Sequence, residues 1–352
     1  MSSPRPREPR RLARDRLLAA AFVSLVSSAI IGFSTAETGA SFTGTTSNPG
    51  QSWNTASVQP PATQNAAASA AAGAVSLAWT ASPTTPVGTQ ARSYLVLRGP
   101  VGGPYAQVGT TSTLAYTDTP PADGTYEWVI QTKIAQGAGS FTSPNSIVRN
   151  AKSDRTAPTM SISCNAVACA AGWYTAAVTV AVSGSDGTGV GMGAVTRNVD
   201  GAGAITTAGS SVSFAVSGDS AGHTVVYSGR DAVTNTAANA TQTIRIDGTA
   251  PTVGTLSAAR GVPGAPATVD FAWTAGTDAL SGVAGYQLHW VQAATCPTTA
   301  TTASFPNLVS LGNVTSYQLT GTKNQRYCAY FQTQDAAGNL SPASNIASAA
   351  AR

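Results

Sequence analysis

Charged side chains are scarce in this 352-residue chain, where Asp, Glu, Lys and Arg together make up 10% of the residues. Long amphipathic helices draw heavily on these residues and on leucine, so few such helices are expected. Short β-branched runs, broken by 35 glycines and 20 prolines, fill the sequence instead. This pattern is typical of an all-β protein.

Basic surface is also lacking outside the N-terminus. The formal net charge is +4, and residues 1–16, with six arginines against Glu8 and Asp15, carry all of it. Beyond residue 16 the acidic and basic side chains balance, which leaves no basic stripe to hold phosphates. The sequence therefore predicts no nucleic-acid partner.

The N-terminus has the pattern of an export signal. Arginine-rich residues 1–16 precede an uncharged apolar run of 17 residues, 17–33, and small residues that end at Ala36. Residues 1–36 are interpreted as a signal peptide cleaved after Ala36 or, because this length is near the lower limit for spanning a bilayer, as an uncleaved anchor. The predicted location is extracellular or on the cell surface, with membrane contact only through residues 17–33 if they are retained.

Residues that commonly carry out catalysis are few. The two histidines, His223 and His289, stand beside no nucleophile signature such as G-x-S-x-G. Strand alternation turns His289 away from the core and onto a sheet face. Of the glutamates in the exported part, Glu37 stands at its predicted start and Glu127 faces outward, so the carboxylate pair of a glycosidase is not expected. No enzymatic activity, catalytic residue or cofactor is predicted.

Aspartates stand mostly at predicted turns. Asp186, Asp231, Asp278 and Asp335 lie in loops where calcium could find carboxylate and carbonyl ligands. However, no Asp-x-Asp-x-Asp run concentrates the charge, and turn aspartates ordinarily hydrogen-bond their own backbone. No metal site is predicted, and calcium at these loops is left open.

Four cysteines in an exported chain indicate disulfides. Cys164 and Cys169 lie close together, and Cys296 and Cys328 share a later module, so pairing within each couple is favoured over the two other arrangements. A zinc site is the alternative, but C-x4-C far from the other cysteines is an unusual spacing for zinc.

A repeated segment divides the chain. Residues 154–159, DRTAPT, recur 93 residues later as 247–252, DGTAPT, at a spacing close to the size of one β-sandwich. The proline of each copy suits an extended, stiff connection. Residues 37–72, rich in Ala, Thr, Ser and Gln, are interpreted as a linker. The predicted modules are 73–153, 154–248 and 249–352.

The first and third modules share an ordered series of aromatic residues. AVSLAWTA at 74–81 aligns with TVDFAWTA at 268–275, and alternation places each tryptophan with the apolar residues of its strand. A tyrosine-bearing strand, a tyrosine-led strand and a Ser-Pro element follow in both. The predicted core residues are Trp79, Tyr94, Tyr126, Trp173, Trp273, Tyr286 and Tyr327.

This order resembles the fibronectin type III domain over residues 73–150 and 252–349. The resemblance implies two sheets packed over the tryptophan, with Tyr126 and Tyr327 as tyrosine-corner residues.

The middle module looks instead like the bacterial immunoglobulin-like repeats of actinobacterial and other Gram-positive envelope proteins and large secreted glycosidases. Its series includes GWY at 172–174, VTVAV at 178–182 and DAVTN at 231–235. Such repeats usually end in Asp-x-x-Gly-Asn, which the third module keeps at 335–339, whereas Thr234 takes the glycine position here. This departure bears on the tightness of the turn and not on the fold.

Together these features predict an exported, all-β, non-catalytic chain of three tandem immunoglobulin-like or fibronectin type III-like β-sandwiches with a structural or adhesive function. The alternative is an accessory carbohydrate-binding or spacer protein of polysaccharide degradation, which requires exposed aromatics in one plane; the candidates are Trp53, Tyr105 and Tyr116. An envelope or extracellular polysaccharide and another surface protein are both left open as partners. The ligand, the oligomeric state and cleavage of the signal are not determined by the sequence.

Overall fold

The computed structural model describes residues 40–42, 55–263 and 266–352. The predicted signal or anchor segment, residues 1–36, lies outside the described residues, and so does Trp53. In the described ranges, no helix is long and apolar enough to cross a membrane. The regular structure there consists of strands and one short 3-10 turn, Ala71–Gly73, which confirms the prediction of an all-β protein.

The first module is a sandwich of two antiparallel sheets, preceded by a pair of short strands. One sheet has the order β3-β4-β7, and the other has the order β10-β8-β5-β6, with β9 also on β8. Alternate residues of β4 face the second sheet and form the core with Tyr94, Val96, Trp128 and Ile130. The strands are β1 (Ala40–Phe42), β2 (Thr55–Ser57), β3 (Gln64–Ala70), β4 (Ala74–Trp79), β5 (Ala91–Pro100), β6 (Ala106–Thr111), β7 (Ala115–Asp118), β8 (Gly124–Gln136), β9 (Gly139–Thr142) and β10 (Arg149–Ser153).

Strand β3 lies inside the stretch predicted to be a linker, residues 37–72. It pairs with β4 from Gln64 opposite Trp79 to Ala70 opposite Ala74. Gln64 is buried, and its amide donates a hydrogen bond to the Trp128 carbonyl at 3.1 Å. The strand, QNAAASA, has no apolar alternation, which is why its composition indicated a linker. This part of the stretch is therefore a strand of the first sandwich.

The second module has sheets of order β11-β13-β16 and β12-β18-β17-β14-β15. Val178, Val180 and Val182 alternate along β13 and face Val225 and Ile244 of the other sheet in one buried cluster. All its strand pairs are antiparallel except β12 with β18. The strands are β11 (Thr159–Cys164), β12 (Trp173–Tyr174), β13 (Val178–Ser185), β14 (Met192–Val199), β15 (Ile205–Ala208), β16 (Ser211–Val216), β17 (Ser220–Asp231) and β18 (Ala240–Ile246).

The third module has sheets of order β19-β20-β23 and β22-β21-β24-β25. Its core places Val269, Phe271 and Trp273 of one sheet against Leu288 and Phe331 of the other. The strands are β19 (Leu256–Arg260), β20 (Thr268–Trp273), β21 (Val283–Gln292), β22 (Asn307–Leu311), β23 (Ser316–Thr320), β24 (Arg326–Asp335) and β25 (Ala347–Ala350).

Six of the seven predicted aromatic residues lie in or beside these cores, but Trp173 does not, because the next residue, Tyr174, packs against the core of the second module instead. Five of them are buried: Trp79, Tyr94, Trp273, Tyr286 and Tyr327. The remaining two, Tyr126 and Trp173, are half-buried. The tryptophan of β4 meets the tyrosine of β5 edge to face with ring centroids 5.5 Å apart, and the pair from β20 and β21 repeats this at 5.4 Å.

Both tyrosine-corner candidates hydrogen-bond to the chain a few residues upstream. Tyr126 donates its hydroxyl to the carbonyl of Ala122 at 3.2 Å. The hydroxyl of Tyr327 accepts the N–H of Thr322 at 2.8 Å and donates to the Gln292 side chain at 3.1 Å. These contacts link each tyrosine to the turn that precedes its strand.

Two disulfides are present, Cys164–Cys169 and Cys296–Cys328. The second holds the segment 293–306 across the sheet face opposite the main core of the third module, where Phe305, Cys328 and Tyr330 form a separate buried cluster. His289 points to this face, as alternation predicted. His289 is nevertheless buried, with only 5% of its surface exposed, because the segment 293–306 covers it. Its ring stacks on that of Tyr330, with ring centroids 4.8 Å apart.

Candidate functional site at the joints between modules

The two copies of the repeated segment lie where one module meets the next, and the side chains around them repeat as well. We call residues 154–156 and the side chains that contact them the first joint. The second joint is residues 247–249 and their contacts. In both, an aspartate of the repeated segment bonds to the following module, and residues just after it bond to the preceding module.

The first joint is tied to the module before it through Asp123, in the turn before β8. Its carboxylate accepts the backbone N–H of Arg155 at 2.9 Å and the hydroxyl of Thr156 at 2.6 Å, and it pairs with the Arg155 guanidinium at 3.1 Å. The Thr156 hydroxyl, more than any other contact, lowers the pKa of the Asp123 carboxyl.

The second joint repeats this arrangement with Asp219, in the turn before β17. Asp219 accepts the N–H of Gly248 at 2.9 Å and the hydroxyl of Thr249 at 2.5 Å. The Thr249 hydroxyl is again the main cause of a lowered pKa, here for the Asp219 carboxyl. Glycine replaces the arginine of the first joint, so the guanidinium contact is absent.

Contacts to the following module also match. At the first joint Asp154 accepts the N–H of Val190 at 2.8 Å, and its carbonyl accepts the amide of Asn235 at 3.1 Å. At the second joint Asp247 accepts the N–H of Ser281 at 3.0 Å, and its carbonyl accepts the amide of Asn339 at 2.8 Å. The loops of the following module thus hold the connection from its other side.

Asn235 and Asn339 are positioned by the turns at 231–235 and 335–339. In DAVTN, the carboxylate of Asp231 accepts the N–H groups of Val233 and Asn235 at 2.9 and 2.8 Å. In the equivalent turn the Asp335 carboxylate accepts the N–H of Asn339 at 2.7 Å. An Asx turn of this kind orders the loop and presents the asparagine amide to the joint.

A triad of carboxylates meets at each joint. Each residue contributes one oxygen, and the three oxygens lie within 4.8 Å of one another. In both triads the joint aspartate and the strand-end aspartate are buried, and the third is half-buried. The first triad is Asp154, Asp186 and Asp231, and the second is Asp247, Asp278 and Asp335.

Four of these six residues were named above as loop aspartates that could offer ligands to calcium. The other two, Asp154 and Asp247, were not. Their partners lie up to 92 residues away in the chain, so no local pattern could show the convergence. One signal was available, since the aspartate opens both copies of the repeat.

Burial, followed in smaller measure by the neighbouring carboxylates, raises the pKa of the Asp186 carboxyl.

A cleft of about 550 Å³ opens at the first joint. Its walls come from β8, β10 and the loop after β13, and they include Asp123, Asp154 and Asp186. Lys152 reaches across to donate to the carbonyls of Thr188 and Gly189 at 3.0 and 2.9 Å.

Within the described ranges, the two histidines contact an aspartate, a backbone carbonyl and an aromatic ring. His223 contacts the Asp200 carboxylate at 2.7 Å and the Gly218 carbonyl at 2.9 Å. In the described residues no serine or cysteine side chain hydrogen-bonds to it or to His289.

Two of the three aromatic candidates for sugar stacking are half-buried. The hydroxyl of Tyr105 donates to the Glu127 carboxylate at 2.7 Å. Tyr116 packs against the core of the first module, and its hydroxyl donates to the Val108 carbonyl at 3.1 Å. The third, Trp53, is outside the described residues.

Comparison with known proteins finds similarity to solved tandem-domain structures. The chicken CNTN1 FN1-FN3 domains are 16% identical, with a TM-score of 0.33, and the match covers 84% of this chain and 99% of theirs. A three-domain titin structure is 11% identical at a TM-score of 0.39, with 83% and 97% covered. A Ca²⁺-stabilized adhesin, described as helping an Antarctic bacterium bind ice, is 17% identical at 0.33, with 83% and 74% covered. No family model and no curated protein matches this chain.

Proposed function

We propose that this chain is an exported, non-catalytic spacer that holds its terminal module at a set distance and angle from its point of attachment, in a structural or adhesive role. The repeated joint carries the proposal. Domains joined by a flexible linker move independently, whereas here a hydrogen-bonded segment connects each module to the next.

The chemistry of the joint supports a stiff connection. At each joint the aspartate of the turn binds both a backbone N–H and a threonine hydroxyl of the connection. Hydrogen bonds to a charged acceptor are stronger than those between neutral groups, so several at one joint restrict bending. The proline that follows in each copy restricts the backbone further.

Export is consistent with the chemistry of the described residues. All four cysteines form disulfides, and disulfides form and persist in oxidising, extracellular environments. An envelope polysaccharide or another surface protein is the partner class proposed for the loops of the terminal module.

Small-angle X-ray scattering tests stiffness directly. The full chain is compared with the double variant Asp123→Ala/Asp219→Ala, and Asp270→Ala is the control because that carboxylate bonds Gln318 within the third module. We expect one narrow distribution of maximum dimension for the wild type and the control. The double variant should give a broader distribution, because its joints lose the carboxylate acceptors.

Two outcomes would contradict the spacer function. A wild-type chain that already scatters as a broad ensemble has no stiff joints. A double variant that matches the wild type, with circular dichroism showing intact sandwiches, would mean that these carboxylates do not set the angle between modules.

A further inference from the structure

We infer that the two joints of the proposed spacer differ in stiffness. The first joint couples its two modules more tightly, so the bending that the chain retains is concentrated at the second joint. This inference rests on the spacer function and adds where the spacer bends. Two basic residues of the first joint carry it, Lys152 and Arg155, because the residues 93 positions later, Arg245 and Gly248, do not repeat their contacts.

The contacts that the two joints share do not distinguish them. In each joint, an aspartate of the preceding turn binds a backbone N–H and a threonine hydroxyl of the connection. The connection binds the following module through its own aspartate and through an asparagine amide. The largest difference between paired distances is that of the asparagine amides, 3.1 Å at the first joint and 2.8 Å at the second. A difference in stiffness must therefore come from other contacts.

Arg155 binds the connection to the first module. Its guanidinium pairs with the Asp123 carboxylate at 3.1 Å, and it donates to the Ser153 hydroxyl at 3.0 Å and to the Pro120 carbonyl. It also packs on Gly73, where an added Cβ would lie 2.5 Å from Cζ of the arginine. The planar guanidinium holds its donors in a fixed fork, so several acceptors together restrict its orientation. The arginine therefore limits the directions in which the connection can leave the first module.

Lys152 links the first two modules directly. It lies on β10 of the first module, and its ammonium donates to the carbonyls of Thr188 and Gly189, in the loop after β13 of the second. Rotation of one module about the connection would stretch these two hydrogen bonds. Between the second and third modules, by contrast, every hydrogen bond of the described residues involves residues 247–249.

The equivalent residues of the second joint form neither kind of contact. Gly248 has no side chain to bind the preceding module. Arg245 is exposed, and its guanidinium makes no hydrogen bond or ion pair in the part of the chain that the structure describes. No basic side chain therefore couples the modules at the second joint.

The second joint has two contacts of its own, and neither adds coupling between modules. The N–H of Asp247 donates to the Tyr174 carbonyl at 2.8 Å, which extends the pairing of β12 with β18 inside the second module. The Asn339 amide lies 3.5 Å from the Thr249 carbonyl, too far to add much to its 2.8 Å bond with the Asp247 carbonyl. The two basic residues thus remain the main difference between the joints.

Residual dipolar couplings of the full, disulfide-intact chain in a weakly aligning medium test the inference, because modules that move together share one alignment tensor. We expect the tensor of the first module to match that of the second closely in magnitude and orientation. The tensor of the third module should be smaller, since its motion about the second joint averages the couplings. In Lys152→Ala/Arg155→Ala the tensor of the first module should fall towards that of the third. Arg245→Ala, the matched control at the second joint, should change no tensor.

The inference is overturned if the third module shares the tensor of the second as fully as the first module does, or if the double variant leaves the tensor of the first module unchanged. Should the double variant disturb the amide spectrum of the first module, Lys152→Ala alone gives the comparison, because that side chain is exposed. One tensor for all three modules would keep the spacer function and refute this inference. Different tensors at both joints, with the larger difference at the second, would refute the stiff spacer and leave this inference standing.

Discussion

Thr234 occupies a backbone conformation that suits glycine. Its φ is +74°, and Gly338, at the same place in the equivalent turn of the third module, has φ +100°. A β-branched residue is strained at positive φ because its Cβ crowds the backbone. Because Thr234 stands where glycine is usual, its turn could be looser than the equivalent turn of the third module. Both turns close alike, since Asp231 N–H donates to Asn235 O at 3.1 Å and Asp335 N–H donates to Asn339 O at 3.1 Å.

Exchanging these two residues gives a reciprocal prediction. Thr234→Gly should stabilise the second module by about 1 kcal/mol, because it removes the strain of a non-glycine residue at positive φ. Gly338→Thr should destabilise the third module by about 1–3 kcal/mol for the same reason. Calorimetric unfolding of each variant measures both shifts. If Thr234→Gly lowers stability, the threonine is not strained there.

At the scale of an element, a short Ser-Pro-x-Ser segment replaces regular strand pairing in two modules. SPNS at 143–146 lies against β8, and SPAS at 341–344 lies against β24. In the second segment Ser341 donates its N–H to the Thr333 carbonyl and accepts the Thr333 N–H on its hydroxyl, both at 2.9 Å. The serine thus makes both hydrogen bonds of one ladder position beside a proline that has no N–H to donate.

Removing such a hydroxyl should leave a buried backbone N–H without an acceptor. Ser341→Ala is expected to destabilise the third module by about 1–3 kcal/mol. It should also speed hydrogen exchange at the Thr333 amide. Ser310→Ala, at an exposed position of β22, is the control and should change neither. Unchanged exchange at Thr333 in Ser341→Ala would show that the hydroxyl is not the acceptor that matters.

Across the whole molecule, we expect the two histidines to make the stability of the second and third modules depend on pH in opposite directions. The hydrogen bond that His223 donates to the Gly218 carbonyl, and in smaller measure the Asp200 carboxylate, raise the pKa of His223 above the usual 6.5. Burial under the segment 293–306 lowers the pKa of His289 below it. The second and third modules carry one histidine each, so the two effects do not cancel within either module.

The sign of each effect follows from linkage. The contribution of His223 is complete below pH 6.5 and is lost as pH rises through its raised folded pKa. The contribution of His289 is complete above pH 6.5 and is lost as pH falls towards its lowered folded pKa. Calorimetry between pH 5 and 8 should therefore show the second module losing stability, and the third gaining it, as pH increases.

Substituting each histidine tests which residue causes which pH-dependent loss of stability. His289→Phe should remove the low-pH loss from the third module, and His223→Asn should remove the high-pH loss from the second. If both modules keep the same pH dependence after both changes, the histidines are not its source.

Patterns confined to a few neighbouring residues were enough to predict much of this protein. Apolar alternation in β4 and β20 predicted strands with one buried face, because side-chain period follows directly from strand geometry. The DxTAPT repeat indicated where one sandwich gives way to the next. Because these signals are local, the all-β class and the tandem arrangement follow from the order of residues alone.

Other features depended on residues that are far apart in the chain. Strand β3 is rich in alanine and has no pattern of its own; it is a strand because β4 pairs with it. The acceptor role of Asp123 depends on residues 32 and 33 positions later, and the bond between Asn235 and the Asp154 carbonyl spans 81 positions. Burial of His289 required a loop folded back across its sheet. These features could not be predicted from the sequence, because the free energy of each contact depends on packing that brings distant segments together.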